Sequence, residues 1–178
     1  ACLSGQSGRA DIVYRFLILG FHMGPSVMSH LSNDSVNKIT ALDRHVGREA
    51  HHLLGFLRFK EMSQGFLYSV IQPKNNVLTL ITPHFEDRLR QENFMIVDSK
   101  RGLAAVHHSN MESTYFELSK QELAAIQQMN DSDEDYESLW KTFVQSISIK
   151  ERENLKLQRN MLPLYFRPFM TEFQEQIK

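Results

Sequence analysis

Apolar residues recur along the chain with two different periods, and the change of period separates helical from sheet-forming stretches. Ile12, Val13, Phe16, Leu17, Leu19 and Phe21 are spaced as one side of a helix, closed by Gly24-Pro25. A second helix is expected after Asn33-Asp34, which can cap it. Val36, Ile39, Leu42, Val46, Ala50 and Leu53 then return every three or four residues, and Gly55 ends the series. Beyond Gly55 the period falls towards two. Phe56-Leu57-Arg58-Phe59-Lys60 reads as a strand, Ser63-Gln64-Gly65 as a tight turn, and Phe66 to Ile71 as the antiparallel partner, stopped by Pro73.

Val77 to Ile81 fits either a strand or the start of a helix. Thr82-Pro83 reads as an N-cap followed by proline in the first helical position, opening a short helix through His84, Phe85, Arg88 and Leu89. Phe94 to Val97 is a further strand; the turn Asp98-Ser99-Lys100-Arg101-Gly102 joins it to Leu103–His107 in a second hairpin. Tyr115 to Leu118 adds a fifth strand, and Ser119-Lys120-Gln121-Glu122 is a capping box for a helix to about Met129. The acidic run Asp131 to Glu137 suits an exposed helix start, and Leu139, Trp140, Phe143, Val144 and Ile147 make an amphipathic stripe. Leu164, Tyr165, Phe169 and Phe173 suggest a last helix interrupted at Pro168. The pattern predicts one α+β domain over residues 1–178: a small antiparallel sheet of two or more hairpins flanked by N- and C-terminal helices.

Composition narrows the function. With 20 Lys+Arg against 21 Asp+Glu the net charge is −1, so nucleic acid could be held only by a local patch, not by bulk charge. One cysteine excludes a disulfide framework and a cysteine-rich zinc module, and fits a reducing compartment such as the cytoplasm. No apolar run reaches the ~18 residues of a membrane span, so no membrane partner is expected. The first residues are small and polar, unlike a secretory signal. The sequence opens at Ala1 in what reads as a loop, which suggests that an N-terminal segment of a longer protein is missing.

The densest polar cluster lies on the second helix. Arg44, Arg48 and His52 (or His51) are four residues apart and share one face, with Glu49 beside it and Arg58 just past the helix end. Cations in this arrangement could grip successive phosphates; alternatively they are a solvated face that Glu49 partly neutralises. His45, Glu49 and His52 fall on one side of the helix, but their order is not His-Glu-x-x-His and no fourth ligand is apparent, so no metal is expected. His84 and Arg88 are one turn apart and could bind an anion or assist proton transfer; alternatively His84 bonds a carbonyl and Arg88 pairs with a carboxylate such as Asp98. Lys100-Arg101 sit at a hairpin tip. Arg152, in a polar stretch with Asn154, Gln158 and Arg159, either ties a helix to the sheet or faces a ligand. Cys2 has no histidine partner in sight, and neither a Gly-x-Ser-x-Gly elbow nor a phosphate-cradling glycine loop is present. No cofactor is called for.

Several segments together resemble a known family. Gly55-Phe56-Leu57-Arg58-Phe59, Pro73-x-x-Asn76-Val77-Leu78, His84-Phe85-x-x-Arg88 and Ile96-x-Asp98-x-Lys100-Arg101 come in the family's order and approximate spacing. So do Leu139-Trp140-Lys141-x-Phe143, Ile147-x-Ile149-x-x-Arg152-x-Asn154 and Met161-x-Pro163-x-Tyr165. The chain is similar over nearly its whole length to the bacterial family described as "probable DNA metabolism protein", a domain of unknown function. That domain is similar to the C-terminal extension of some family-4 uracil-DNA glycosylases and is encoded beside a radical-SAM protein proposed to act in DNA repair. Phe94 stands where the family usually has Trp, and Tyr165-Phe166 where it has Tyr-Trp; both keep an aromatic, so packing should survive, whereas any stacking on bases would be weaker.

The expected function is a nucleic-acid-binding accessory domain in DNA repair or DNA metabolism. Its local basic patch would draw on Arg44, Arg48, His52, Arg58, His84, Arg88, Lys100, Arg101 and Arg152, with DNA as partner. Two alternatives stay open. One is an enzyme acting on DNA or a nucleotide, with His84, Asp98 or Glu49 as acid or base. The other is a docking module for a glycosylase or radical-SAM repair protein, through the aromatics Tyr165, Phe166, Phe169 and Phe173.

Overall fold

Asn33 starts a helix of 23 residues, α2 (Asp34–Phe56). Its side-chain oxygen accepts the Ser35 N–H at 2.9 Å and its carbonyl accepts the Asn37 N–H, answering donors that a helix start leaves free. Val36, Ile39, Leu42, Val46, Ala50 and Leu53 are all buried, as their spacing predicts, and Glu49 is buried with them. Before α2 come α1 (Arg9–Met23), which ends at Gly24 with a positive φ of 61°, and a 3-10 turn over Gly24–Ser29. α1 buries none of its side chains.

The computed structural model describes residues 1–62, 65–129 and 164–170. The chain gathers into two compact units, Ala1–Leu54 with Pro73–Ile81, and Gly55–Gln72 with Thr82–Lys178. The first holds the helices just described. The second holds a five-stranded sheet in the order β1 (Lys60–Met62), β2 (Phe66–Ile71), β3 (Asn93–Asp98), β4 (Leu103–His107), β5 (Thr114–Glu117). β1/β2, β3/β4 and β4/β5 pair antiparallel. β2 and β3 pair parallel, Phe66 opposite Asn93 and Ile71 opposite Asp98. The fold class is α+β, with helices before and after a mostly antiparallel sheet. The parallel join is an addition to the expected hairpins; it needs a crossover, which residues 72–92 supply.

Two boundaries differ from expectation. The strand expected over Phe56–Lys60 begins only at Lys60, because α2 continues to Phe56. The alternation that suggested a strand comes from packing: Leu57 is buried, and the Phe59 ring meets Phe85 and Phe94 edge-on at 5.2 and 5.5 Å. The helix expected to open at Thr82-Pro83 is α3 (Leu78–Arg88), so Pro83 lies inside it. Val77, Leu78, Ile81 and Phe85 recur at helical spacing and are all buried. Several side chains at roughly 1.5–3 kcal/mol each outweigh the ~3 kcal/mol of an internal proline.

The capping box is formed as read. The Ser119 N–H donates to the Glu122 carboxylate at 2.7 Å, and the Glu122 N–H to the Ser119 hydroxyl at 3.3 Å, opening α4 (Lys120–Met129). These bonds, the backbone one foremost, hold the Glu122 carboxyl below its ordinary pKa. A 3-10 turn spans Leu164–Phe169, with Phe166 buried against the Phe56 ring. Ser63, Gln64, Asp131 to Glu137, the Leu139–Ile147 stripe, Arg152 and Phe173, for which the sequence raised expectations, lie outside the described residues. No helix among the described residues is long and apolar enough to cross a membrane.

Candidate nucleic-acid interface

The side of α2 away from its buried stripe carries Arg44, Arg48 and His51, all exposed. At 3.6 residues per turn they fall within about 60° of one another, so they form one outward line. His51 belongs to this line more fully than the expected His52, which is half-buried on its flank. None of the three makes an ion pair or side-chain hydrogen bond among the described residues. The neighbouring Lys38 is engaged elsewhere, with Asp34 at 2.6 Å.

Glu49, the carboxylate that was to neutralise this stripe, points the other way. Its Oε1 accepts the Lys74 N–H at 2.7 Å, and its Oε2 accepts the Asn75 N–H at 2.8 Å and the Asn75 side-chain amide at 2.6 Å. The Asn75 carbonyl oxygen accepts the Gly5 N–H, and the Asn76 N–H donates to the Leu3 carbonyl. The clasp thereby fixes residues 3–5 and 73–76 to the inner side of α2. Charge-assisted bonds from three donors leave Glu49 neither a free base nor a counter-ion for Arg48. His45 is exposed, so His45, Glu49 and His52 do not converge, and no group of three metal-ligating side chains occurs among the described residues. Lys74 and Asn75 were not singled out in the sequence; Pro73 and Asn76 beside them were the nearest signal.

The remaining candidates sit in the second unit. Arg58 donates to the carbonyls of Gly55 and Leu57 at 2.9 and 3.2 Å, closing the C-terminus of α2, where a cation also suits the dipole. Asp98 is fully buried. Its carboxylate accepts the backbone N–H groups of Lys100 and Arg101 and pairs with the Arg101 guanidinium at 2.8 Å, so it is the core of its own turn. Arg101, and not Arg88, is its cationic partner. Lys100 is exposed on this turn and makes no side-chain bond among the described residues.

His84 and Arg88 are exposed on α3, the His84 ring edge-on to Phe85 at 5.2 Å. Arg88 precedes the Asn93 end of β3, while Asp98 closes the opposite end. Neither His84 nor Arg88 makes a hydrogen bond or ion pair with Asp98 among the described residues. At the Asn93 end, the buried His107 stacks on Phe94 at 4.7 Å and its Nε2 lies 3.4 Å from the Arg90 carbonyl. Phe94 and Phe166 are both buried and in ring contact, as packing aromatics are.

A family model matches residues 7–172, nearly the whole chain. The chain belongs to the DUF4130 family. DUF4130 is described as a domain of unknown function. Among the described residues, several of those singled out in the sequence build the fold: Asp98 with Arg101 makes the β3–β4 turn, Phe94 fills the sheet, and Asn76 helps bind residues 3–5. Comparison with curated proteins and with solved structures found no match.

Proposed function

We propose that this chain is a nucleic-acid-binding accessory domain in DNA metabolism or repair, using the outward face of α2 to hold phosphates. In this reading it works beside a uracil-DNA glycosylase or radical-SAM repair enzyme, the setting that its motif resemblance implies. The supporting observation is the inward turn of Glu49, which leaves the arginines Arg44 and Arg48, with His51 in line, exposed and without a carboxylate partner among the described residues. A rigid helix presenting charges one turn apart matches a polyanion better than a flexible arm would, because little ordering is needed on binding. The acid–base alternative draws no support from Asp98 or Glu49, whose carboxylates are committed to local donors.

The test is the binding of labelled single-stranded and damaged DNA to the full chain over a salt series. Each phosphate contact contributes roughly 0.7–0.9 to the log–log slope, so Arg44→Ala/Arg48→Ala should lower the slope by about 1.5. A slope that this double variant leaves unchanged, or no binding by the full chain at low salt, overturns the reading.

A further inference from the structure

α1 presents to solvent what a helix ordinarily hides. Phe21 is 89% exposed, Tyr14 64% and Leu17 50%, and Ile18 is exposed beside them. With Tyr14 as the first position they stand at i, i+3, i+4 and i+7, and Ala10, also exposed, extends the same line one step back. Spacings of four, three and four through Ala10, Tyr14, Leu17 and Phe21 are those of a helix–helix seam, not of scattered surface residues. The remaining flank carries Asp11 and Arg15, which pair with each other at 2.9 Å and so demand no external counter-charge. Met28 and Leu31, just beyond the helix, are exposed as well.

The geometry points to a second copy of this chain as the occupant, its α1 packed antiparallel on this one about a two-fold axis near Leu17. Two features favour a copy over an unrelated partner. An antiparallel pair brings Tyr14 of each copy towards Phe21 of the other, placing the large rings at both ends and the aliphatic Leu17 and Ile18 at the centre. The opposed dipoles also set each N-terminus against a C-terminus. The second feature is area. On α1 itself Tyr14, Leu17, Ile18 and Phe21 offer on the order of 400–500 Å² of apolar surface, so the exposed Met28 and Leu31 and a polar rim must supply the rest of the ~800 Å² per partner of a stable dimer. With Met28 and Leu31 the patch is at the upper limit of what monomeric proteins leave uncovered. The line is closed and self-complementary, so pairing stops at two copies. It is independent of the α2 cations.

Sedimentation velocity of the full chain over a concentration series tests the pairing directly. The wild type should pass from monomer to dimer, and Leu17→Asp should raise the dissociation constant about 100-fold or more, with an unchanged circular dichroism spectrum because the side chain is exposed. Arg48→Ala should leave the equilibrium where it is. In a Cys2→Ser background, Leu17→Cys should form a disulfide-linked dimer under mild oxidation, whereas Asn37→Cys, exposed on α2, should not. This trap decides the matter should Leu17→Asp fail to fold. A wild type that stays monomeric throughout, a dimer that survives Leu17→Asp, or equal trapping at positions 17 and 37 overturns the inference.

Discussion

Two buried carboxylates, Glu49 and Asp98, do the same chemical job with opposite consequences for the cations beside them. Each accepts three donors, two of them backbone N–H groups. At the β3–β4 turn the third donor is the guanidinium of Arg101, so the cation is spent on structure. In the α2 clasp the third donor is the uncharged Asn75 amide, so Arg44 and Arg48 keep their charge for something else. Whether a carboxylate neutralises a nearby arginine is thus decided by the donors that the backbone brings to it, and proximity in sequence is a poor guide.

Substitutions that remove each carboxylate should break the comparison most sharply. Glu49→Ala leaves two backbone N–H groups and an amide unanswered, and should cost about 3–4 kcal/mol in denaturant unfolding. Asp98→Asn keeps an acceptor for the turn but weakens the bond to a part-buried Arg101, for about 2 kcal/mol. Gly102→Ala comes next. Gly102 has φ of 65°, and an added Cβ would lie 3.1 Å from the Leu118 carbonyl oxygen, so roughly 1–2 kcal/mol should be lost. Arg44→Ala and Arg48→Ala should change stability by less than about 0.5 kcal/mol while lowering DNA affinity. A stability loss comparable with that of Glu49→Ala would mean that these arginines have structural partners after all.

The smallest effect is electrostatic and belongs to a third carboxylate, Glu122. Its folded pKa lies below the ordinary 4.5, so its contribution is fully present above that value and is lost as the pH falls through the lowered pKa. The stability difference between the wild type and Glu122→Gln should therefore be flat near neutrality and shrink on acidification. A difference that grows as the pH falls contradicts the capping geometry.

Features decided within a few residues were legible in the sequence. The inner stripe of α2, β2, the β3–β4 hairpin and the Ser119–Glu122 box all depend on local spacing or a local bond. The parallel join of β2 and β3 was not legible, because nothing within either strand names a partner more than twenty residues away. Pro83 misled because a strong local signal was outweighed by burial of Val77, Leu78, Ile81 and Phe85. At the candidate site, Arg44 and Arg48 could be found by their spacing. The reason they are unpaired could not, because it lies in Lys74 and Asn75, donors some 25 residues from Glu49 along the chain. Spacing alone does not separate His52 from His51, because four and three residues from Arg48 are equally in line; burial of the His52 flank does.

The parallel pair at the centre of the sheet also has a kinetic meaning. Each hairpin can zip from its own turn within microseconds, but β2 meets β3 only after residues 72–92 have closed a loop. Joining β2 to β3 is then the least local pairing in the sheet, and until it forms the facing edges of β2 and β3 stay open. Variants that loosen the crossover should slow refolding while leaving the unfolding rate almost untouched.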